Sequence, residues 1–335
     1  MKVLMTGMSS SHCSIGKNVS FFSTLHEIIS EFAEVTICDP KLSWTRADLQ
    51  NYDAVIVGIV PPTALSANKI YGALHVLDLM YESPKLRLVV DSPQVWQFNN
   101  SLGSFKRNPT QIFNELYANR KNYDLAKSTK YDTASSLADK MVNLPWPKTY
   151  VPTLPWKTSA DLAASLRFVS EGRLVPLSID SYLLTPATSG SAVRTGWAVD
   201  NVKSKWWTKL ADTLRDGARP LVSTTRPDDA LALSTMESSL GAVIAPQDRI
   251  ASTWWSYRYI QALNSSTPIA TYWQDCQEFD PSWAKLAYQI EDMHPYERAQ
   301  VAADQYRIYS ASIPTKPQIK DFIENDLKNS TKEKI

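Results

Sequence analysis

Short apolar segments separated by stretches of helical periodicity confine this chain to a layered α/β fold, because each kind of segment must bury one face against the other. Lys2 to Thr6 reads as a strand. From Asn18 to Phe32, apolar residues fall at Phe21, Phe22, Leu25, Ile28, Ile29 and Phe32, the i, i+3, i+4, i+7 spacing of a helix lying on a sheet. Glu34 to Cys38 and Ala54 to Val60 are the next strands, the second stopped by Pro61 and Pro62. A helix over Asn68 to Tyr81 and a strand over Leu86 to Val90 follow. Such alternation predicts βαβ units and a mostly parallel sheet.

Between Asn143 and Trp156 the pattern breaks: Pro145, Pro147, Pro152 and Pro155 crowd together with Trp146 and Trp156. Proline at that density opposes helix and favours a stiff, extended segment, which reads as a connection between domains. Beyond it the alternation resumes. Leu174 to Leu177, Tyr182 to Leu184, Pro220 to Ser223, Ala242 to Ala245 and Pro268 to Thr271 are strand-like. Val202 to Leu214, Trp254 to Leu263 and Trp283 to Ile290 are helical, and two tail helices follow, Pro295 to Ser312 and Pro317 to Leu327. At 335 residues the chain exceeds one ordinary core. The expected plan is α/β, with two Rossmann-like domains facing a cleft. They span residues 1–145 and 157–312, joined by a Pro/Trp-rich linker over 146–156 and followed by a tail helix over 313–335.

Composition narrows the function classes. The chain is 44% hydrophobic and 21% charged, carries a formal net charge of +1, and has no apolar run long enough to span a bilayer. The first strand runs into Gly7 without the longer apolar core and cleavage site of a signal peptide. Cys13, Cys38 and Cys276 form no CxxC pair and no disulfide framework, and the four histidines are isolated, so no metal site is expected. The expected compartment is the cytoplasm. Eleven Trp and fifteen Tyr exceed what such a core needs. Some are expected on a surface that handles flat or sugar-like ligands, extra core aromatics being the plainer alternative.

Several segments carry candidate chemistry. The strand Leu86 to Val90 runs into Asp91, followed closely by Trp96, Phe98, Asn99 and Asn100. Ligands in open α/β sheets bind beyond the carboxyl ends of strands, so Asp91 is placed to act as a base on a held substrate. The loop from Gly7 to Asn18 offers small residues before a helix, letting backbone N–H groups approach a ligand, a plain surface loop being the alternative. It lacks both the GxGxxG and the GxxxxGK[ST] spacings, which argues against NAD(P) or ATP chemistry of the usual kinds. His12, within it, is a lone histidine near the expected cleft.

Ser189, Gly190, Arg194 and Gly196 fall in a small-residue loop where a forked guanidinium can cradle a diphosphate; a solvated loop is the alternative. Arg258 and Gln261, three apart on a predicted helix, share a face that can address a ligand above the sheet edge, or are ordinary surface neighbours. Residues 101–130 hold Lys106, Arg107, Arg120, Lys121, Lys127 and Lys130 against Glu115 and Asp124, with Phe105, Phe113, Tyr117 and Tyr123 among them. Basic residues interleaved with aromatics make a candidate nucleic-acid surface, and otherwise a solvated helical face.

Three of these segments resemble the DNA β-glucosyltransferase family of T-even bacteriophages. Thr253 to Asp275, where Ser256-Tyr257-Arg258 opens a helix that runs into a Pro-Ile-Ala strand, is similar to that family's donor-binding helix. The strand leading to Asp91, with Pro93 and the stretch Phe98-Asn99-Asn100-Ser101, resembles the segment bearing its catalytic aspartate. Arg194-Thr195-Gly196 is similar to its Arg-Ser-Gly diphosphate loop. The order of the three, the chain length and the two-domain plan agree. Two positions depart: Gln261 stands where the family has a glutamate that holds the donor ribose, and the family's second diphosphate arginine falls on Ala198.

The resemblance implies a GT-B fold, with the donor bound mainly by the C-terminal domain and the last helix returning to the N-terminal one. It implies a phage-encoded enzyme of the host cytoplasm that moves a sugar from a UDP-sugar to the hydroxyl of a 5-hydroxymethylpyrimidine in duplex DNA. The sugar would be glucose or a pentose such as arabinose, and the modification would serve restriction evasion. Asp91 would take the acceptor proton as the hydroxyl attacks the anomeric carbon, with inversion. Arg194 and Arg258 would offset charge on the departing diphosphate, with Gly7, Ser189, Gly190, Gly196 and Gln261 completing the donor set. The target base must leave the duplex, and Trp96 or Asn99 would fill the gap or hold the base. Lys106, Arg107, Arg120 and Lys121 would contact phosphates. No cofactor is required, with Mg2+ or Mn2+ assistance left open. The alternatives are a GT-B transferase with a small-molecule, lipid or polysaccharide acceptor, and a non-catalytic nucleotide- or sugar-binding protein.

Overall fold

The computed structural model of the chain describes residues 1–7, 21–59, 67–90, 147–155, 174–186, 194–200, 218–220, 229–244, 257–271 and 282–330. The chain forms two compact units. The first comprises Met1–Thr153, Thr158–Leu177 and Lys316–Ile335; the second comprises Leu154–Lys157 and Ser178–Thr315.

The first unit is built on a six-stranded sheet of β1 (Lys2–Gly7), β2 (Glu34–Ile37), β3 (Ala54–Ile59), β4 (Leu86–Val90), β5 (Lys148–Pro152) and β6 (Leu174–Leu177), in the order β2-β1-β3-β4-β5-β6. Every neighbouring pair is parallel. Val3, Leu4 and Met5 of β1 and Val55, Ile56 and Val57 of β3 are fully buried. Such continuous apolar runs fit strands covered on both faces, as parallel sheets are. Helix α1 (Phe21–Ser30) buries Phe21, Phe22, Leu25, Ile28 and Ile29 completely. Each of these side chains contributes about 1.5–3 kcal/mol. Helix α2 (Arg46–Gln50), which the hydrophobic pattern does not reveal, starts with a reciprocal cap. The Asp48 N–H donates to Thr45 Oγ1 at 3.3 Å, and the Thr45 N–H donates to the Asp48 carboxylate at 2.8 Å. Helix α3 (Ala67–Met80) then leads to β4.

The proline-rich segment departs from expectation. Residues expected to form a linker over 146–156 instead contribute β5, which lies between β4 and β6 with Tyr150 and Val151 fully buried. The prolines are at the strand's boundaries: Pro147 precedes it and Pro152 ends it, positions where a missing N–H costs the ladder little. Leu174 to Leu177, expected in the second half, is β6 at the edge of the first sheet, where Pro176 is tolerated for the same reason. The first unit thus extends past the expected boundary at residue 145.

The second unit begins with the short helix α4 (Asp180–Leu183), where a strand over Tyr182 to Leu184 is expected from sequence. Its sheet contains β7 (Trp197–Asp200), β8 (Ala218–Pro220), β9 (Gly241–Ile244), β10 (Ile269–Thr271) and β11 (Lys285–Leu286). Helix α5 (Asp229–Glu237) precedes β9, and α6 (Tyr257–Asn264) joins β9 to β10. Helices α7 (Ala287–Asp292) and α8 (Pro295–Ser312) follow β11. The helix expected over Trp283 to Ile290 is therefore a two-residue strand and the start of α7. The sheet order is β8-β7-β9-β10-β11, all parallel. Counted from each unit's first strand, this is the same 2-1-3-4-5 order as in the first sheet. Trp197 is fully buried and donates its indole N–H to Glu291 at 2.9 Å. The ring lies so close to Gly241 that a Cβ there would sit 2.5 Å from it, which explains a glycine in the middle of this core.

The final helix, α9 (Lys316–Asn329), belongs to the first unit and packs against α1, as expected for the tail. Its buried face is Ile319, Ile323 and Leu327, each four residues apart. Beside Leu327, Asp326 accepts from Arg87 Nε at 2.7 Å, Lys148 Nζ at 2.8 Å and the Tyr150 hydroxyl at 2.6 Å.

Candidate functional site

In an open parallel sheet of 2-1-3-4-5 order, the chain leaves the first and third strands in opposite directions, and the crevice beyond their carboxyl ends binds ligands. In the first unit those strands are β1 and β3. Gly7, the buried last residue of β1, stands in register with Gly58. Beside them β4 ends on Val90, paired with Ile59, so the strand delivers the chain to Asp91 at this carboxyl edge. Asp91 itself, His12, Ser189, Gly190, Trp96, Asn99, Lys106, Arg107, Arg120 and Lys121 lie outside the described residues.

In the second unit the equivalent strands are β7 and β9, whose last residues, Asp200 and Ile244, are paired. Sequence reasoning missed this position because it missed β7. The only signal is the three-residue run Trp197-Ala198-Val199 between Gly196 and Asp200, shorter than the usual strand pattern. From the carboxyl end of β9 the chain reaches α6, which runs back to the amino end of β10. The first turn of α6 is therefore on the carboxyl side of the sheet.

Arg258 and Gln261 lie in the first half of α6. The helix is buried nearly all round: Arg258 is 8% exposed and Gln261 0%, with Tyr259, Ile260, Ala262 and Leu263 packed beside them. Buried polar groups need partners. Arg258 Nη1 donates to Gln261 Oε1 at 2.7 Å, within the i, i+3 reach of one helix face. These two residues are brought together as the spacing predicts, and they are interior residues rather than ordinary surface neighbours.

Arg194 is placed elsewhere. The sequence puts it in a ligand loop after one strand and before a helix, but the structure puts it three residues ahead of β7, at the amino edge of the sheet. Its guanidinium donates to the Ser239 carbonyl at 3.4 Å, to Thr267 Oγ1 at 3.1 Å and to the Ser265 carbonyl at 3.1 Å. Ser239 follows α5, and Ser265 follows α6, so the cation sits against the carboxyl ends of two helices, where positive charge is favoured. Burial lowers the Arg194 pKa, partly countered by the charge of Glu237 and reinforced by Arg298. Thr195 N–H and Gly196 O bond to Ser238 and Leu240, drawing the same turn together. Gly196 has φ 67°, a left-handed conformation that glycine adopts without strain. Arg194 and Gly196 therefore staple the amino edge, and Ala198, expected to align with a second phosphate-binding residue, is a buried β7 side chain. About 10 Å of helix separates Arg258 from the turn that holds Arg194.

Among the described residues, no group of three or more His, Cys, Asp or Glu side chains could hold a metal ion, and no helix is long and apolar enough to cross a membrane.

No protein-family model matches the chain, and no curated protein matches it in sequence. A solved structure does match in fold. It is the crystal structure of the DNA modifying enzyme beta-glucosyltransferase in the presence and absence of the substrate uridine diphosphoglucose. The match has a TM-score of 0.52 at 10% sequence identity and covers 98% of this chain and 99% of that one. The chain thus has a GT-B-type α/β fold, matched over 98% of its length, with a C-terminal helix.

Proposed function

We propose that this protein is a glycosyltransferase that moves a sugar from a UDP-sugar to the hydroxyl of a 5-hydroxymethylpyrimidine in duplex DNA. The observation that carries this reading is the end-to-end correspondence of fold with a DNA modifying beta-glucosyltransferase that uses uridine diphosphoglucose. A whole-chain match is more informative than a shared Rossmann-like sheet, since single sheets of this kind serve many chemistries. Two local features support it. The strand β4 hands the chain to Asp91 at a carboxyl edge, and a buried arginine, Arg258, stands in the first turn of the helix after β9.

In this reading the second unit binds the UDP-sugar, and Arg258 offsets charge that builds on the diphosphate as the glycosidic bond breaks. Asp91 accepts the proton of the attacking hydroxymethyl group, and a single displacement inverts the anomeric centre. Arg194 has no part in the donor site. The basic stretch of residues 101–130 supplies phosphate contacts, and the target base leaves the duplex to reach the carboxylate.

The test is transfer of label from UDP-[14C]glucose, or UDP-arabinose, to duplex DNA containing 5-hydroxymethylcytosine, with and without a chelator. We expect label in the DNA. The Asp91→Ala variant is expected to lose at least about a hundredfold in rate while still binding UDP, the size of a general-base contribution. Transfer to a small acceptor but not to DNA would instead identify a GT-B enzyme of different acceptor class. An Asp91→Ala protein with undiminished transfer would remove the base.

A further inference from the structure

We infer that Gln261 is a positioning residue for Arg258 and not a contact for the donor's ribose. The role rests on the donor-binding reading of the second unit and assigns a different task from the one its sequence position suggests. Gln261 has no exposed surface, and its side-chain oxygen already accepts from Arg258 Nη1 at 2.7 Å. Both residues are held by the packing of a helix buried on nearly every side. A guanidinium has five N–H donors fixed in a plane, so gripping one of them sets the direction of the others. Gln261 grips it with a neutral amide. The contact orients the cation and supplies no negative charge, whereas a carboxylate in the same place would pair with the cation and weaken its pull on an anion. The arrangement suits a ligand whose charge is carried by a diphosphate, and it separates binding of the phosphates from binding of the nucleoside.

That separation gives the experiment. Affinities for UDP and for uridine are measured by titration on the full-length wild type and on Gln261→Glu and Gln261→Met proteins, with circular dichroism verifying the fold. Gln261→Glu retains size and the accepting oxygen while adding charge; Gln261→Met retains length and removes the acceptor. We expect each substitution to weaken UDP binding by about tenfold or more, the scale of a hydrogen bond to a charged group, and to leave uridine binding unchanged. If uridine affinity falls in step with UDP, or if Gln261→Glu tightens both, Gln261 bonds the ribose and the positioning role is wrong. Unchanged UDP affinity in Gln261→Glu also overturns it. A wild-type protein that binds neither ligand would instead defeat the donor reading itself, a distinct result.

Discussion

Asp326 illustrates how one side chain can fix a chain end. Its carboxylate is 9% exposed and meets Arg87, which is 4% exposed, together with Lys148 and Tyr150. Burial alone would raise the Asp326 pKa, but the hydrogen bond and charge of Arg87, and the bonds from Lys148 and Tyr150, outweigh it and hold the group below its ordinary 3.8. Burial and the neighbouring carboxylate push the Tyr150 phenol well above its usual range, so it remains a donor. Replacing Asp326 with Ala leaves a buried guanidinium without its counter-charge and should cost about 3–5 kcal/mol in chemical unfolding. The pH dependence has a definite sign. A depressed carboxyl contributes stability above the unfolded value of 3.8, and that contribution disappears as pH falls below 3.8 through the lower folded value. The stability gap between wild type and Asp326→Ala should therefore be full at neutral pH and narrow below 3.8; a gap that does not change with pH would refute the ionised cluster.

At the scale of elements, the amino edge of the second sheet depends on Arg194. Its guanidinium joins the turn before β7 to the turns that follow α5 and α6, and Thr267 Oγ1 continues the network to the Met236 carbonyl at 2.8 Å. An Arg194→Met protein should lose about 1–3 kcal/mol of stability, since carbonyls are left without their donor, yet bind UDP as the wild type does. Thermal unfolding beside a UDP titration tests both halves; a selective loss of UDP affinity at unchanged stability would restore Arg194 to the ligand. The same region shows how local pattern misleads. Arg194-Thr195-Gly196 has the composition of an anion loop, but composition does not say which edge of a sheet a turn occupies. That depends on β7, a central strand with only four residues to announce it.

At the scale of the molecule, two parallel sheets sharing a 2-1-3-4-5 order, the first with a sixth strand added, belong to a chain whose fold matches a DNA modifying enzyme over 98% of its length. If residues 101–130 contact phosphates, DNA affinity should fall steeply with salt, because each neutralised phosphate releases condensed counterions. Four such contacts predict a slope of log K against log salt near about −3.6, and replacing both Lys106 and Arg107 with Ala should flatten it by about two contacts' worth. A flat salt response in the wild type would assign DNA binding elsewhere or exclude it.

What the amino-acid sequence determined by itself was set by local physics. The periodicity of Phe21 to Ile29, the alternation of strand and helix to Val90 and the existence of a last helix over Pro317 to Leu327 are all written in apolar spacing; its return to the first unit was implied only by the family resemblance. The grouping of Arg258 with Gln261 was legible too, because i, i+3 neighbours on a helix meet whatever surrounds them. Tertiary structure alone decided that Lys148–Pro152 joins the first sheet, that Arg194 faces carbonyls, and that Asp326 closes on Arg87 from 239 residues away. These outcomes depend on partners distant in sequence, and spacing along a chain carries no record of which edge, or which partner, a side chain will meet.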